Sequence, residues 1–221
     1  MTKYASCRVE RGYLKKGYEH IIGIDEVGRG AVAGPVAVGV AVSTGAKSPK
    51  MLADSKLLSQ AQRQTLLPGI KEYTSGRVYV GLATNSEVDS YGITVALRLA
   101  AFRALPKLKH SIILLDGVHN WLDYDPEWHS SMIKSGVLTK KVYLPEVKTI
   151  KGGDRKVSII AAASVYAKEY RDSIMRELSK EYPHYSLERN KGYLTSEHTA
   201  GVRKYGLSSI HRESFINADA L

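Results

Sequence analysis

Apolar residues along this chain fall into short blocks of two kinds. Residues 20–26, carried by Ile21, Ile22 and Ile24, and residues 35–42, carried by Val36, Val38, Val40 and Val42, are strand-length runs with few polar interruptions. Runs of that kind suit strands buried on both faces. Residues 76–84 instead alternate, with Val78, Val80 and Leu82 set against polar or small neighbours, the period-two signature of a strand. Residues 111–115 and 147–150 predict two further strands. Between them the period lengthens. Ser59 followed by Gln62 has capping-box spacing, so a helix starts there, with Leu66, Leu67 and Ile70 on its apolar side. Pro68 has no amide hydrogen and crowds the preceding turn, so this helix is expected to end or kink near Leu67. Residues 86–90 read as a turn or short helical piece. Residues 93–105 form a helix with Val95, Ala96, Leu99, Ala100 and Phe102 as its buried side, closed by Pro106. Residues 157–182 predict a long helix, rich in alanine at its start and charged at its end, and residues 196–205 a last one.

The order β-β-(α)-β-α-β-β-α describes a mixed α/β layer. The first two strands, joined by a glycine-containing turn, can pair antiparallel. The fourth returns after a helix and can lie parallel to the first. The chain divides into an N-terminal arm, 1–19, expected to be mobile or loosely docked; an α/β domain, 20–182; and a C-terminal extension, 183–221, packed on that domain. Residues 118–145 are a long polar insertion holding Trp121 and Trp128, and a connection of this length is functional or carries its own local structure.

Composition narrows the function class. The 221 residues, 43% hydrophobic, can build one sizeable core. No apolar run reaches membrane-spanning length, and residues 1–16 are polar and basic without the apolar centre of a secretory signal. The single cysteine, Cys7, excludes an internal disulfide, and no Cys/His cluster has zinc-site spacing. Together these point to a cytoplasmic protein with no membrane partner. Lysine and arginine number 32 against 22 acids, a net charge of +10. Such a balance suits a polyanionic partner, nucleic acid above all, or else a basic surface with no such partner.

Against this basic background the acids stand out. Asp25 and Glu26 close the first strand, just before the turn Gly28-Arg29-Gly30. Adjacent carboxylates on a buried strand are costly unless water, a turn or a divalent cation satisfies them. Asp116 ends the fourth strand, and with the first and fourth strands parallel it lies beside Asp25, about 4.8 Å away across the ladder. Asp154 opens the long helix, where it either serves the helix N-terminus or joins the other acids. A bowl of hard oxygen ligands on a basic protein fits metal-assisted phosphodiester hydrolysis.

The ordered segments Gly23-Ile-Asp-Glu-Val-Gly-Arg-Gly30, Asp54-Ser-Lys-Leu-Leu-Ser59, Leu115-Asp-Gly117, Asp154 with Ala161-Ala-Ala-Ser-Val-Tyr-Ala-Lys168, Asn190-Lys-Gly-Tyr-Leu-Thr195 with His198, and Lys204-Tyr-Gly206 with Ile210-His-Arg212 and Phe215 resemble the motifs of bacterial ribonuclease HII, and they cover residues 20–215. The resemblance implies a ribonuclease H-like fold, a mixed five-stranded sheet flanked by helices with a small C-terminal extension. It implies an enzyme that cuts the RNA strand of RNA–DNA hybrids, and single ribonucleotides embedded in duplex DNA; nothing in the sequence demands more than a monomer. The products carry 3′-hydroxyl and 5′-phosphate ends, and two Mg²⁺ or Mn²⁺ ions are bound by Asp25, Glu26, Asp116 and Asp154. It implies that Gly28, Arg29 and Gly30 read the 2′-hydroxyl through backbone groups and that Tyr193 stacks at the ribose–deoxyribose junction, although Tyr193 is one of 14 tyrosines and also reads as surface. Lys56 and Lys168 either meet phosphate or carboxylates around the site or are solvated charges; phosphate is the expectation for Lys56, and Lys168 is left open. His198 and His211 are read as structural imidazoles or proton shuttles. The chain departs from the family pattern at Lys151-Gly152-Gly153-Asp154, where the lysine is displaced by one residue, at Pro68, and in the length of 118–145. It lacks the N-terminal substrate-binding domain and the fourth-acid glutamate of the sister ribonuclease HIII. A non-catalytic hybrid-binding module, or a junction resolvase or transposase-like nuclease of related fold, remains open on the sequence.

Overall fold

The computed structural model describes residues 4–43, 45–123 and 125–216. Five strands form one sheet: β1 (His20–Val27), β2 (Val36–Ser43), β3 (Val78–Ala83), β4 (Ser111–Asp116) and β5 (Glu146–Ile150), in the spatial order β3-β2-β1-β4-β5. β1 pairs antiparallel with β2 and parallel with β4, as the connections require. The β1–β4 register runs from His20 opposite Ser111 to Ile24 opposite Leu115, so the next step sets Asp25 beside Asp116.

Alternate side chains of the sheet bury on opposite faces. Ile22, Ile24, Val38, Val40 and Leu115 pack with α4 (Ile93–Ala104), whose Leu97, Leu99 and Phe102 are fully buried. Ile21, Ala41, Ile112 and Leu114 pack with the alanine-rich start of α6 (Ser158–Glu181). That helix crosses the centre of the sheet at backbone contact. A Cβ added at Gly23 would lie 2.4 Å from the Ile159 carbonyl carbon, and one at Gly39 would lie 2.3 Å from the Ala163 oxygen. Each fully buried aliphatic side chain in these layers contributes about 1.5–3 kcal/mol. Among the described residues no helix is long and apolar enough to cross a membrane.

Two expectations need correction. α2 (Gln60–Tyr73) starts at the Ser59 capping box but runs through Pro68 to its end. The proline ring is exposed, and the buried Arg63, Ile70 and Tyr73 anchor both halves of the helix, so packing outweighs a penalty of about 3 kcal/mol. The N-terminal arm is not loose over its described part, because α1 (Arg8–Leu14) buries Glu10. Its Oε1 accepts the Ile159 amide at 2.8 Å and the Tyr73 hydroxyl at 3.1 Å, capping α6, whose own N-cap, Val157, offers no side-chain oxygen. The short helical reading of residues 86–90 holds, within α3 (Asn85–Tyr91), opened by a Thr84–Glu87 capping box.

The 118–145 insertion carries its own structure. Asp125 caps α5 (Pro126–Lys134), accepting from the Glu127 and Trp128 amides at 2.8 and 3.0 Å. Trp128 meets Phe102 edge-on at 6.1 Å, and Trp121 is buried, so both tryptophans extend the α4-side core. The C-terminal extension holds α7 (Leu187–Asn190) and α8 (Ser196–Tyr205) and makes a third apolar cluster, in which Tyr185, Leu187, Val202 and Ile210 pack on Ala33 and Met175.

Candidate active site

Three backbone elements end at one place. Asp25 is next to last but one in β1, Asp116 ends β4, and Asp154 sits in a 3-10 turn, Gly153–Arg155, just before α6. Ligand oxygens of these three carboxylates all lie within 4.8 Å of one another. The turn is tied to the strand end, since the Gly153 amide donates to Asp116 Oδ1 at 2.6 Å. Asp25 accepts its neighbour's amide, Glu26 N–H, at 2.9 Å, and the Ser164 hydroxyl of α6, which donates to Ser55 Oγ at 2.9 Å, favours its charged form.

This arrangement is electrostatically uncomfortable by itself. Burial raises the Asp25 carboxyl well above the usual carboxylate range, and Glu26, Asp116 and Asp154 raise it further. Asp154 is pushed up to about 6, first by burial and then by Asp116 and Asp54. Its Oδ1 is buried without a hydrogen-bond partner, and the Arg155 Nε stands 3.9 Å from it. A buried, unpartnered carboxylate oxygen facing two more acids fits a divalent cation, and an all-oxygen donor set favours hard ions such as Mg²⁺ and Mn²⁺.

Glu26 is not in that cluster. Neighbours on a strand point to opposite sides, and the Glu26 carboxylate receives Arg29 Nη1 at 3.5 Å. Burial raises its pKa, with Arg29 opposing. The remaining sequence candidates gather beside it. A cleft of 570 Å³ is lined by Asp25, Glu26, the whole Gly28-Arg29-Gly30 turn, Lys56, Lys168 and Tyr193. Burial would push the Lys56 ammonium down, but the facing carboxylates of Asp25, Asp54 and Asp154 hold it above its ordinary value. Lys168 is oriented by the buried Asp172 at 2.7 Å, which also takes Arg63 Nη2 at 3.2 Å. Tyr193 is 38% exposed, a ring presented to the cleft rather than packed in the core.

His198 and His211 do not line that cleft. Their Nε2 atoms are 3.0 Å apart in a buried pair, and burial pushes both down, His198 to about 4. Sequence reasoning gave no role to Asp54, Ser164, Asp172, Arg171 or Arg212. Asp54 and Ser164 lie inside quoted motifs, so position in a motif was a usable signal. The arginines bond to carbonyls far along the chain, which leaves no local pattern.

The comparisons with known proteins agree with this geometry. The family model for ribonuclease HII matches residues 22–218. A ribonuclease HII of Prochlorococcus marinus (strain MIT 9312) is 39% identical over 205 residues, 90% of this chain and 91% of the relative. One from Sulfurihydrogenibium sp. (strain YO3AOP1) is 33% identical over 208 residues, 94% of this chain and 95% of the relative. The crystal structure of the ribonuclease H2 from Pyrococcus horikoshii OT3 superposes with a TM-score of 0.61 at 27% identity, covering 88% of this chain and 93% of that one. The chain belongs to the ribonuclease HII family of ribonuclease H hydrolases.

Proposed function

We propose that this endonuclease cuts the RNA strand of RNA–DNA hybrids and cuts duplex DNA at single embedded ribonucleotides, leaving 3′-hydroxyl and 5′-phosphate ends. The observation that carries the reading is the meeting of Asp25, Asp116 and Asp154 within 4.8 Å, beside a cleft walled by the Gly28–Gly30 turn and Tyr193. Asp25, Asp116 and Asp154 would hold two divalent ions, joined by Glu26 once its 3.5 Å contact with Arg29 is exchanged for a cation. Bound there, the ions supply an activated water and charge stabilisation for the leaving 3′-oxygen.

The protein's own groups do the rest. Ser164 favours the charged form of Asp25. Lys56 and Lys168 place positive charge in the cleft against phosphate oxygens, a contact that positions the duplex and carries no sequence information. The 2′-hydroxyl is what separates RNA from DNA at one nucleotide, and backbone amides at the Gly-Arg-Gly turn are donors of the right size for it. Tyr193 stacks on the adjoining sugar. Residues 20–182 form the catalytic unit and 183–221 complete the substrate wall. The enzyme acts as a cytoplasmic monomer.

A panel of four duplexes tests this: an RNA–DNA hybrid, a DNA duplex with one ribonucleotide, plain DNA and a four-way junction. Mg²⁺- or Mn²⁺-dependent cleavage of the first two alone is expected. Cleavage of the junction, or no turnover of any duplex with either ion, would sink it.

A further inference from the structure

The Gly28–Gly30 side of the cleft stands on two arginines whose side chains are fully buried, Arg171 of α6 and Arg212 of the extension. Arg212 Nη1 donates to the carbonyls of Gly28 and Arg29 at 2.8 and 3.2 Å, and its Nε and Nη2 donate to that of Gly34 at 3.0 and 2.9 Å. Arg171 donates Nε to Pro35 O at 2.8 Å, Nη2 to Ala33 O at 3.2 Å and Nη1 to Lys191 O at 2.8 Å. Its Cζ lies 6.0 Å from the centre of the Tyr193 ring. Among the described residues neither has a carboxylate within ion-pair distance. Burying an unpaired cation is costly, and an apolar side chain of similar volume would fill the space more cheaply. What an apolar side chain lacks is the planar fork of N–H donors, and here that fork holds the loop by its carbonyls.

The consequence falls on the other side of the same peptides. A trans peptide points its N–H opposite its C=O. With the Gly28 and Arg29 carbonyls held by Arg212, the amides of Arg29 and Gly30 point away from it. Neither amide has a hydrogen-bond partner among the described residues, and both residues line the cleft. Gly28 makes the close approach possible: its φ is +83°, and a Cβ there would sit 2.2 Å from Arg171 Nε.

We propose that Arg171 and Arg212 are positioning residues for ribose recognition. They draw the carbonyl side of the loop from Gly28 to Pro35 inward, so that two free amides and the Tyr193 ring present one fixed gauge to a 2′-hydroxyl. The proposal rests on the reading of the turn and of Tyr193 given above. The clamp sets discrimination between ribose and deoxyribose, not general affinity for duplex.

Fluorescence anisotropy tests it with the full-length protein in Ca²⁺, using a DNA duplex that carries one ribonucleotide and its all-DNA twin. The variants are Arg171→Lys, Arg212→Lys and Arg212→Gln. The glutamine keeps amide donors without a buried charge and so guards against a lysine variant that does not fold, which circular dichroism reports. The expected result is a preference of at least tenfold for the ribonucleotide duplex in the unmodified protein. In folded variants that preference shrinks to twofold or less, while affinity for the all-DNA duplex stays within threefold. A general structural loss would weaken both duplexes together. Full preference retained in a folded variant overturns the clamp and leaves the reading of the turn standing. No preference in the unmodified protein overturns that reading, and the clamp with it.

Discussion

Two walls of the candidate site, the acid cluster and the Gly28–Gly30 turn, are built on opposite plans. On one, side chains carry the chemistry and the backbone is routine: Asp25 and Asp116 ride neighbouring parallel strands, and Asp154 is tethered to Asp116 through the Gly153 amide. On the other, backbone groups line the cleft and side chains hold them in place, with the Gly28 and Arg29 carbonyls bonded to Arg212 and those of Ala33 and Pro35 to Arg171. The first wall buries acids close together, and burial first, neighbouring carboxylates second, raises the pKa of Asp25 and Asp154. The second gathers buried positive charge, pushing Arg212 down to about 10 by burial and by its neighbour Arg171. A catalytic centre can therefore store electrostatic tension in two places for two purposes, one relieved by a cation and the other by carbonyl oxygens.

Substitutions should separate the walls. Asp116→Asn is expected to give the largest effect, a loss of cleavage of about a thousandfold or more with duplex binding kept, because it removes charge stabilisation while leaving the surface intact. Single-turnover cleavage and anisotropy on one preparation check this, and near-normal cleavage would break the division of labour. Gly28→Ala comes next. The added Cβ strains a φ of +83° and collides with Arg171, so cleavage at a single ribonucleotide should fall about a hundredfold while calorimetric Mn²⁺ binding is unchanged. Lost Mn²⁺ binding would mean that the walls are one cooperative unit.

Tyr193→Ala should cost about tenfold in kcat/KM, the scale of one aromatic stacking contact, without altering the metal dependence. The smallest effect concerns pH in the metal-free protein. Asp154 keeps its proton in the fold up to about 6, where the unfolded chain has already released its own. Between the ordinary carboxylate range and about 6 the folded state thus binds more protons, and stability falls as pH rises through that window. Asp25, raised also, acts in the same direction. The buried His198–His211 pair, pushed down, opposes this on acidification with or without metal, so the readout is the difference between the two states: the gain in thermal midpoint on adding saturating Mg²⁺ should shrink by a few degrees from pH 7 to pH 5. A gain that grows on acidification would contradict the strained-acid description of the first wall.

How far each wall was legible in the sequence follows from how it is made. Asp25 and Asp116 are charges at the ends of apolar runs, and strand periodicity with the parallel return of β4 is enough to bring them together, while Asp154 is a charge opening the long helix. Glu26 was legible as an acid, but its contact with Arg29 across the turn was not. Pro68 was read as a helix terminator because the local penalty is real, and the burial of Ile70 and Tyr73 overrode it. Glu10 looked like one more charge in a polar arm, yet it caps α6 from 149 residues away.

The sequence by itself determined the strands, the acids at their ends, the glycine turn and the family. These are written in local periodicity and short motifs, where each residue's neighbours along the chain settle its part. Only the tertiary structure decided which acids share an ion's reach, that two buried arginines hold the loop from Gly28 to Pro35 by its carbonyls, and that the N-terminal arm caps the central helix. Those outcomes depend on carbonyls and amides, which every residue carries alike, so no pattern of side chains could announce them before the chain had folded.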